Sequence, residues 1–166
     1  QQKFDNTMAH LTPSVSYDDV ADIDLVVEAA TENEKIKLGI FKQLDEIAPK
    51  KAILASNTSS ISITKIAGAT KRHTQVIGLH FFNPVHAMKL IELNVGLTTS
   101  PETVQVIQKV GESLDKAVII AKDSAGFVVN RILIPMINEG IYVFEEGIAS
   151  AEQVDEAMKL GANVPM

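Results

Sequence analysis

The sequence predicts an α/β domain with a largely parallel sheet, followed by a wholly helical part. Two observations carry this. Short apolar runs rich in β-branched residues alternate with helical stretches, through short connections, as far as Lys122, and nothing strand-like follows over Phe127–Met158. Strand–helix–strand alternation builds parallel sheets covered by helices. The chain has 166 residues, 46% of them hydrophobic, enough for one core or two small dependent units.

The elements follow in order. Asp24–Ala30 is an apolar run of the buried-strand type. Glu34–Ala48 is helical, with Ile36, Ile40, Leu44 and Ile47 on one stripe and Pro49 as its stop. Ala52–Ala55 is a second strand. Ser60–Ala69 is a short helix, with Ser59 or Ser60 as its expected cap. Gln75–His80 and Leu90–Val95 are the third and fourth strands. Glu102–Leu114 is a helix capped by Ser100, with Pro101 at its first position. Ala117–Ala121 is a fifth strand. A domain boundary is expected near Lys122–Gly126. Beyond it, a helical period runs to about Glu146 through Pro135, and Ser150–Gln153 reads as a capping box opening a last helix that stops at Gly161.

Composition narrows the function. A net charge of −6 argues against a nucleic-acid groove or a membrane-surface role. With no cysteine, disulfides, thiolate chemistry and Cys-based zinc sites are excluded, and no metal site is expected. No apolar run approaches the roughly 18 residues of a membrane span. The first residues lack a signal-peptide core and an initiator Met, so the sequence is expected to begin inside a longer frame.

Chemistry concentrates in three places. His80 ends a strand within Gly78–Pro84, at the carboxyl edge where α/β proteins bind ligands, and Glu92 lies on the next strand. A carboxylate on one imidazole nitrogen fixes the tautomer and raises the basicity of the ring, which suits it to take a proton from a hydroxyl. Pattern alone leaves open a strand-end histidine with a structural carboxylate. Ala55–Ser60 follows a strand with small polar residues, as a ligand loop or as a helix cap. Asp123–Arg131 opens the helical part, with Asn130 on the first turn as a ligand contact or a cap. His10, His73 and His86 have no motif around them and read as surface or loop residues.

The segments Leu25–Asn33, Ala55–Ser60, Gly78–Pro84, Met88–Glu92, Ala125–Arg131 and Ala157–Met166 together resemble the L-3-hydroxyacyl-CoA dehydrogenase family, 3-hydroxybutyryl-CoA dehydrogenases included. The likeness runs in order along essentially the whole chain. It implies reversible oxidation of an L-3-hydroxyacyl-CoA with NAD as cofactor, in β-oxidation or butyrate metabolism. It implies His80 as general base, Glu92 as its partner, and Ser59 and Asn130 as substrate contacts. Cofactor contacts are implied at Ala29, Glu32, Lys37, Asn57, Ser59 and Asn83. The fold implied is the C-terminal part of a Rossmann-like NAD-binding domain, residues 1–122, then the start of an all-α substrate and dimerisation domain, residues 123–166. The partners implied are an acyl-CoA and a second copy in a homo-oligomer, with no nucleic acid and no membrane. The location implied is a bacterial-type cytoplasm, with a mitochondrial or peroxisomal matrix as alternatives.

The family's first strand and Gly-x-Gly-x-x-Gly turn, which hold the pyrophosphate, do not occur in this sequence. The chain is therefore expected to be an internal piece of the enzyme. By itself it should bind NAD weakly and associate through the open edge of Asp24–Ala30. Two alternatives remain: a truncated chain without turnover, and a related L-gulonate dehydrogenase or crystallin-like protein.

Overall fold

The computed structural model describes residues 2–164. The chain divides into two compact units, residues 1–124 and 125–166. The first is built on a five-stranded sheet of order β1-β2-β3-β4-β5. The strands are β1 (Leu25–Glu28), β2 (Ile53–Ser56), β3 (Val76–Phe81), β4 (Leu90–Val95) and β5 (Ala117–Lys122).

Strands β1, β2 and β3 are parallel, and helices α2 (Glu34–Ile47) and α3 (Ile63–Ala67) make the returns between them. Strand β4 is antiparallel to β3 and parallel to β5, which it reaches through α4 (Pro101–Ser113). The sheet is thus mixed, with one reversed junction. Residues 82–89 hold no helix, and so short a connection cannot carry a parallel crossover.

The strand alternation sorts side chains onto two faces. On one, Ile77, Leu79, Ile91 and Leu93 form a buried apolar cluster with Ile107 of α4. On the other, Gly78 and His80 stand opposite Asn94 and Glu92. Helix α3 packs onto this second face at Gly78. A Cβ there would lie 2.8 Å from Asn94 Cβ and 2.9 Å from Ile63 Cδ1, so the close approach of helix and strands requires glycine. Helix α2 covers the same face beside it and buries Phe41 and Leu44.

The local chemistry explains the helix ends. The Asn33 side chain accepts the Ile36 amide and starts α2. The Ser100 hydroxyl accepts the Thr103 amide at 3.1 Å, with Pro101 at the first turn of α4, as expected. Helix α3 is shorter than its sequence pattern suggested, and Ser62, not Ser59 or Ser60, caps it. The cause is hydroxyl competition. Thr58 Oγ1 accepts the amides of Ser60 and Ile61, which holds that stretch in turns.

In the second unit, α5 (Val129–Glu145) continues through Pro135 and is followed by α6 (Ala151–Gly161). The Ser150–Gln153 capping box forms in both directions. Gly161 is the last residue of α6 rather than its stop, and Ala162 caps the helix by donating its backbone N–H to the Met158 carbonyl. Helix α1 (Gln2–Met8) and a 3-10 segment, Tyr17–Asp22, have no counterpart in the sequence reading. Both are short and mostly solvent-exposed, so no apolar stripe marks them. Among the described residues no helix is long and apolar enough to cross a membrane.

Candidate active site

Three parallel strands deliver their carboxyl ends to one edge of the sheet. The reversed β4 brings its first half to the same edge. The antiparallel register sets His80 directly across from Glu92. His80 Nδ1 lies 2.8 Å from Glu92 Oε2, with side chains 8% and 0% exposed. An ionised carboxylate only accepts, so Nδ1 carries the proton and Nε2 is the basic nitrogen. The Phe82 ring packs against the imidazole at a centroid distance of 4.6 Å.

The loop after β2 is organised by a second carboxylate. Glu32 Oε1 accepts the Ser59 amide at 2.7 Å and its hydroxyl at 3.1 Å, while Oε2 accepts the Thr58 hydroxyl at 2.7 Å. Burial works to raise the Glu32 carboxyl. The Ser59 amide, the Thr58 and Ser59 hydroxyls and the nearby Lys37 charge outweigh it, and the group lies below the ordinary glutamate range. A depressed carboxyl contributes order above its ordinary value and loses it as pH falls through the lowered one. The Ser59 amide should therefore stay protected from hydrogen exchange through the ordinary glutamate range and lose protection only on further acidification. Amide exchange followed by NMR across acidic pH checks this.

Asn57 ties two strand ends together. Its amide donates to the Glu28 carbonyl at 2.8 Å, and its Oδ1 accepts the Phe81 amide at 2.9 Å. Lys37 is 1% exposed, and its ammonium pairs with the Glu28 carboxylate. Ala29 lies at the exposed end of β1, and Asn83 is exposed just after β3. His80, Glu92, Ser59, Glu32, Asn57, Ala29 and Asn83 all belong to this edge of the first unit. Asn130 belongs to the second unit, on the first turn of α5.

Other residues that shape the site escaped the sequence reading. Asp123, just past β5, accepts the Ser62 hydroxyl at 2.7 Å and the amides of Ile63 and Thr64 at 3.0 and 2.8 Å, which fixes the start of α3. Burial works to raise its carboxyl, but the bonds from Thr64, Ser62 and Ile63 hold it below the ordinary aspartate range. A carboxylate beside a strand end and a serine-rich turn far away in sequence have no spacing that connects them. Glu28 is a charge inside an apolar run, and that was its available signal.

Asn94 is fully buried beside Gly78, and its Oδ1 is the one buried side-chain oxygen or nitrogen without a hydrogen bond among the described residues. An unsatisfied buried polar atom costs about 1–3 kcal/mol. Asn94→Leu, which puts two methyls in place of the amide oxygen and nitrogen, is expected to raise stability by about 1 kcal/mol, read from the urea unfolding midpoint.

The family model described as "3-hydroxyacyl-CoA dehydrogenase, NAD binding domain" matches residues 1–124, and the one for the C-terminal domain matches residues 126–166. The chain is 50% identical to the 3-hydroxybutyryl-CoA dehydrogenase of Clostridioides difficile over 159 residues, which is 96% of this chain and 57% of that protein. It is 47% identical to the mitochondrial hydroxyacyl-coenzyme A dehydrogenase of Homo sapiens over 161 residues, 97% of this chain and 51% of that protein. The crystal structure of (S)-3-hydroxybutyryl-CoA dehydrogenase from Ralstonia eutropha superposes with a TM-score of 0.95 at 52% identity, covering 97% of this chain and 57% of that one. The chain spans about half the length of the curated relatives it matches.

Proposed function

Because the chain belongs to the 3-hydroxyacyl-CoA dehydrogenase family, we propose that the full-length protein oxidises the hydroxyl of an L-3-hydroxyacyl-CoA to the 3-oxoacyl-CoA with NAD. The observation that carries this reading is the buried His80–Glu92 pair at the carboxyl edge of β3. It is a proton acceptor with a fixed tautomer and a built-in countercharge.

The residues at the edge fit the nicotinamide-ribose half of the cofactor. The donors and acceptors there are an asparagine, serine and threonine hydroxyls and a carboxylate, which suit a carboxamide and ribose hydroxyls. Ala29, Glu32, Asn57, Ser59 and Asn83 would hold that half, with Lys37 behind them. When bound, NAD supplies the hydride acceptor.

The chain's own work is binding and proton movement. His80 Nε2 takes the proton from the 3-hydroxyl as the carbonyl forms. The Glu92 carboxylate on Nδ1 stabilises the resulting imidazolium. The Ser59 hydroxyl and the Asn130 amide orient the substrate oxygens. Ser59 does so from a loop that Glu32 already holds, so little ordering remains to be done on binding.

The acyl-CoA is the small-molecule partner in this reading, and relatives named for 3-hydroxybutyryl-CoA make that the first substrate to test. Exposed apolar side chains of the second unit, Ile132, Ile137, Ile141 and Leu160 among them, support a homo-oligomer. A cytoplasmic location belongs to the same reading. NADH oxidation driven by acetoacetyl-CoA tests it in the full-length protein. Absence of turnover with purified, folded protein would remove the assignment.

A further inference from the structure

The proposed reaction leaves one buried carboxylate without a role. Glu28, at the end of β1, is 5% exposed. Its Oε2 takes the Lys37 ammonium and the Ser56 hydroxyl, the latter at 3.1 Å. Its Oε1 takes the Ala30 amide at 2.9 Å, and its backbone carbonyl takes the Asn57 amide at 2.8 Å. Stability alone does not explain such a group. A buried ion pair is often matched or bettered by apolar residues of similar volume.

The placement of its partners suggests another reason. Ala30 opens the segment that leads to Glu32. Ser56 opens the hydroxyl loop that carries Asn57 and Ser59, and its Oγ also accepts the Thr58 amide at 3.2 Å. Lys37 reaches Glu28 from α2. One carboxylate therefore joins the turn after β1, helix α2 and the distant loop after β2, beside the proposed nicotinamide site. We infer that Glu28 is a positioning residue for the cofactor, with Lys37 as its counterion. It fixes the segments bearing Ala29, Glu32 and Asn57 in the geometry that NAD requires. With its ammonium on Glu28, Lys37 serves the cofactor through that carboxylate. The inference rests on the NAD-dependent reading above.

The test uses the full-length protein and two variants. E28L/K37M removes both buried charges and keeps the volume, so it separates the bracing bonds from fold stability. E28Q keeps the size of the side chain and its bond to Ala30 but removes the carboxylate charge that faces the Lys37 ammonium. NADH binding is measured by fluorescence titration, the KM for acetoacetyl-CoA by steady-state assay, and folding by thermal melting. Displacing contact groups by about an ångström is enough to weaken their action tenfold or more. The expected result is about tenfold weaker NADH binding in E28L/K37M, with a cooperative melt near that of the wild type and a KM for acetoacetyl-CoA within about twofold. If that variant does not fold, E28Q is expected to show the same selective loss of NADH affinity. Wild-type NADH affinity in either folded variant overturns the inference, and so does an equal loss for both ligands, which would mean general loosening. A wild-type protein that binds no NADH fails at an earlier point and removes the NAD-dependent reading with it.

Discussion

His80→Gln is expected to lower kcat by roughly 10²–10⁴-fold while leaving the KM for acyl-CoA and the affinity for NADH nearly unchanged. Glutamine keeps much of the volume against Phe82 and can still donate to Glu92, so the fold has little reason to respond. What it lacks is a ring nitrogen with a lone pair to take the hydroxyl proton. The loss therefore falls on the step in which the proton moves, and single-turnover measurements should show it at full size. Glu92→Gln removes the countercharge and keeps the shape. It should also lower kcat severely, because the imidazolium would then form in a buried place without the Glu92 carboxylate on its Nδ1. Near-normal turnover in either variant would contradict the role given to that residue. Assays of both variants with acetoacetyl-CoA and NADH, beside a check of the melting curve, decide the matter.

The sequence made the sheet strands and the His80–Glu92 pair legible for different reasons. Apolar runs such as Ala52–Ala55 announce strands by burial on both faces, Leu90–Val95 announces one by alternation, and all five strands fall where those signals lie. His80 and Glu92 could be paired in advance because each sits in a strand with a definite alternation. The hidden feature was the reversal between β3 and β4. It is encoded in the absence of a helix over residues 82–89, a weaker signal than the presence of one. The reversal also sets Glu92 across from His80, so the least legible part of the fold positions the most legible part of the site. Glu28, Arg72 and Asp123 stayed hidden because Ser56, Asp45 and Ile63, which they meet, lie far away in sequence, and only tertiary packing brings them together. The hydroxyl-rich Ser56–Ser60 stretch was visible as a loop. Its link to Glu32 was not, since nothing local fixes which oxygen those hydroxyls meet.

Arg72→Ala is expected to destabilise the first unit by about 3 kcal/mol or more. The guanidinium donates to Asp45 Oδ1 at 2.8 Å and to the Asp45 and Ala48 carbonyls at 2.8 and 2.9 Å. It also donates to the carbonyls of Pro49 and Ala52. Those carbonyls belong to the open end of α2 and the entry to β2, and the Pro49 carbonyl also takes the Ala52 amide at 2.9 Å. Arg72 and Asp45 side chains are each 8% exposed, so water cannot readily replace the lost donors. A lysine cannot substitute, because one ammonium does not span a planar fork of this width. The pH dependence gives a second reading. Burial works to raise the Asp45 carboxyl, but bonds from the Lys71 amide and from Arg72, with the Arg72 charge, hold it below the ordinary aspartate range. That depression contributes stability above the ordinary value, and the contribution is lost as pH falls through the lowered one. Without Arg72 the Asp45 carboxyl should return toward its ordinary range, and acid unfolding should begin at higher pH than in the wild type. Urea unfolding across acidic pH measures both effects together. Because β2 leads directly into Asn57 and Ser59, a folded Arg72→Ala protein should also show faster amide exchange at Ser59. An unchanged urea midpoint would mean that the guanidinium merely decorates a helix end that closes without it.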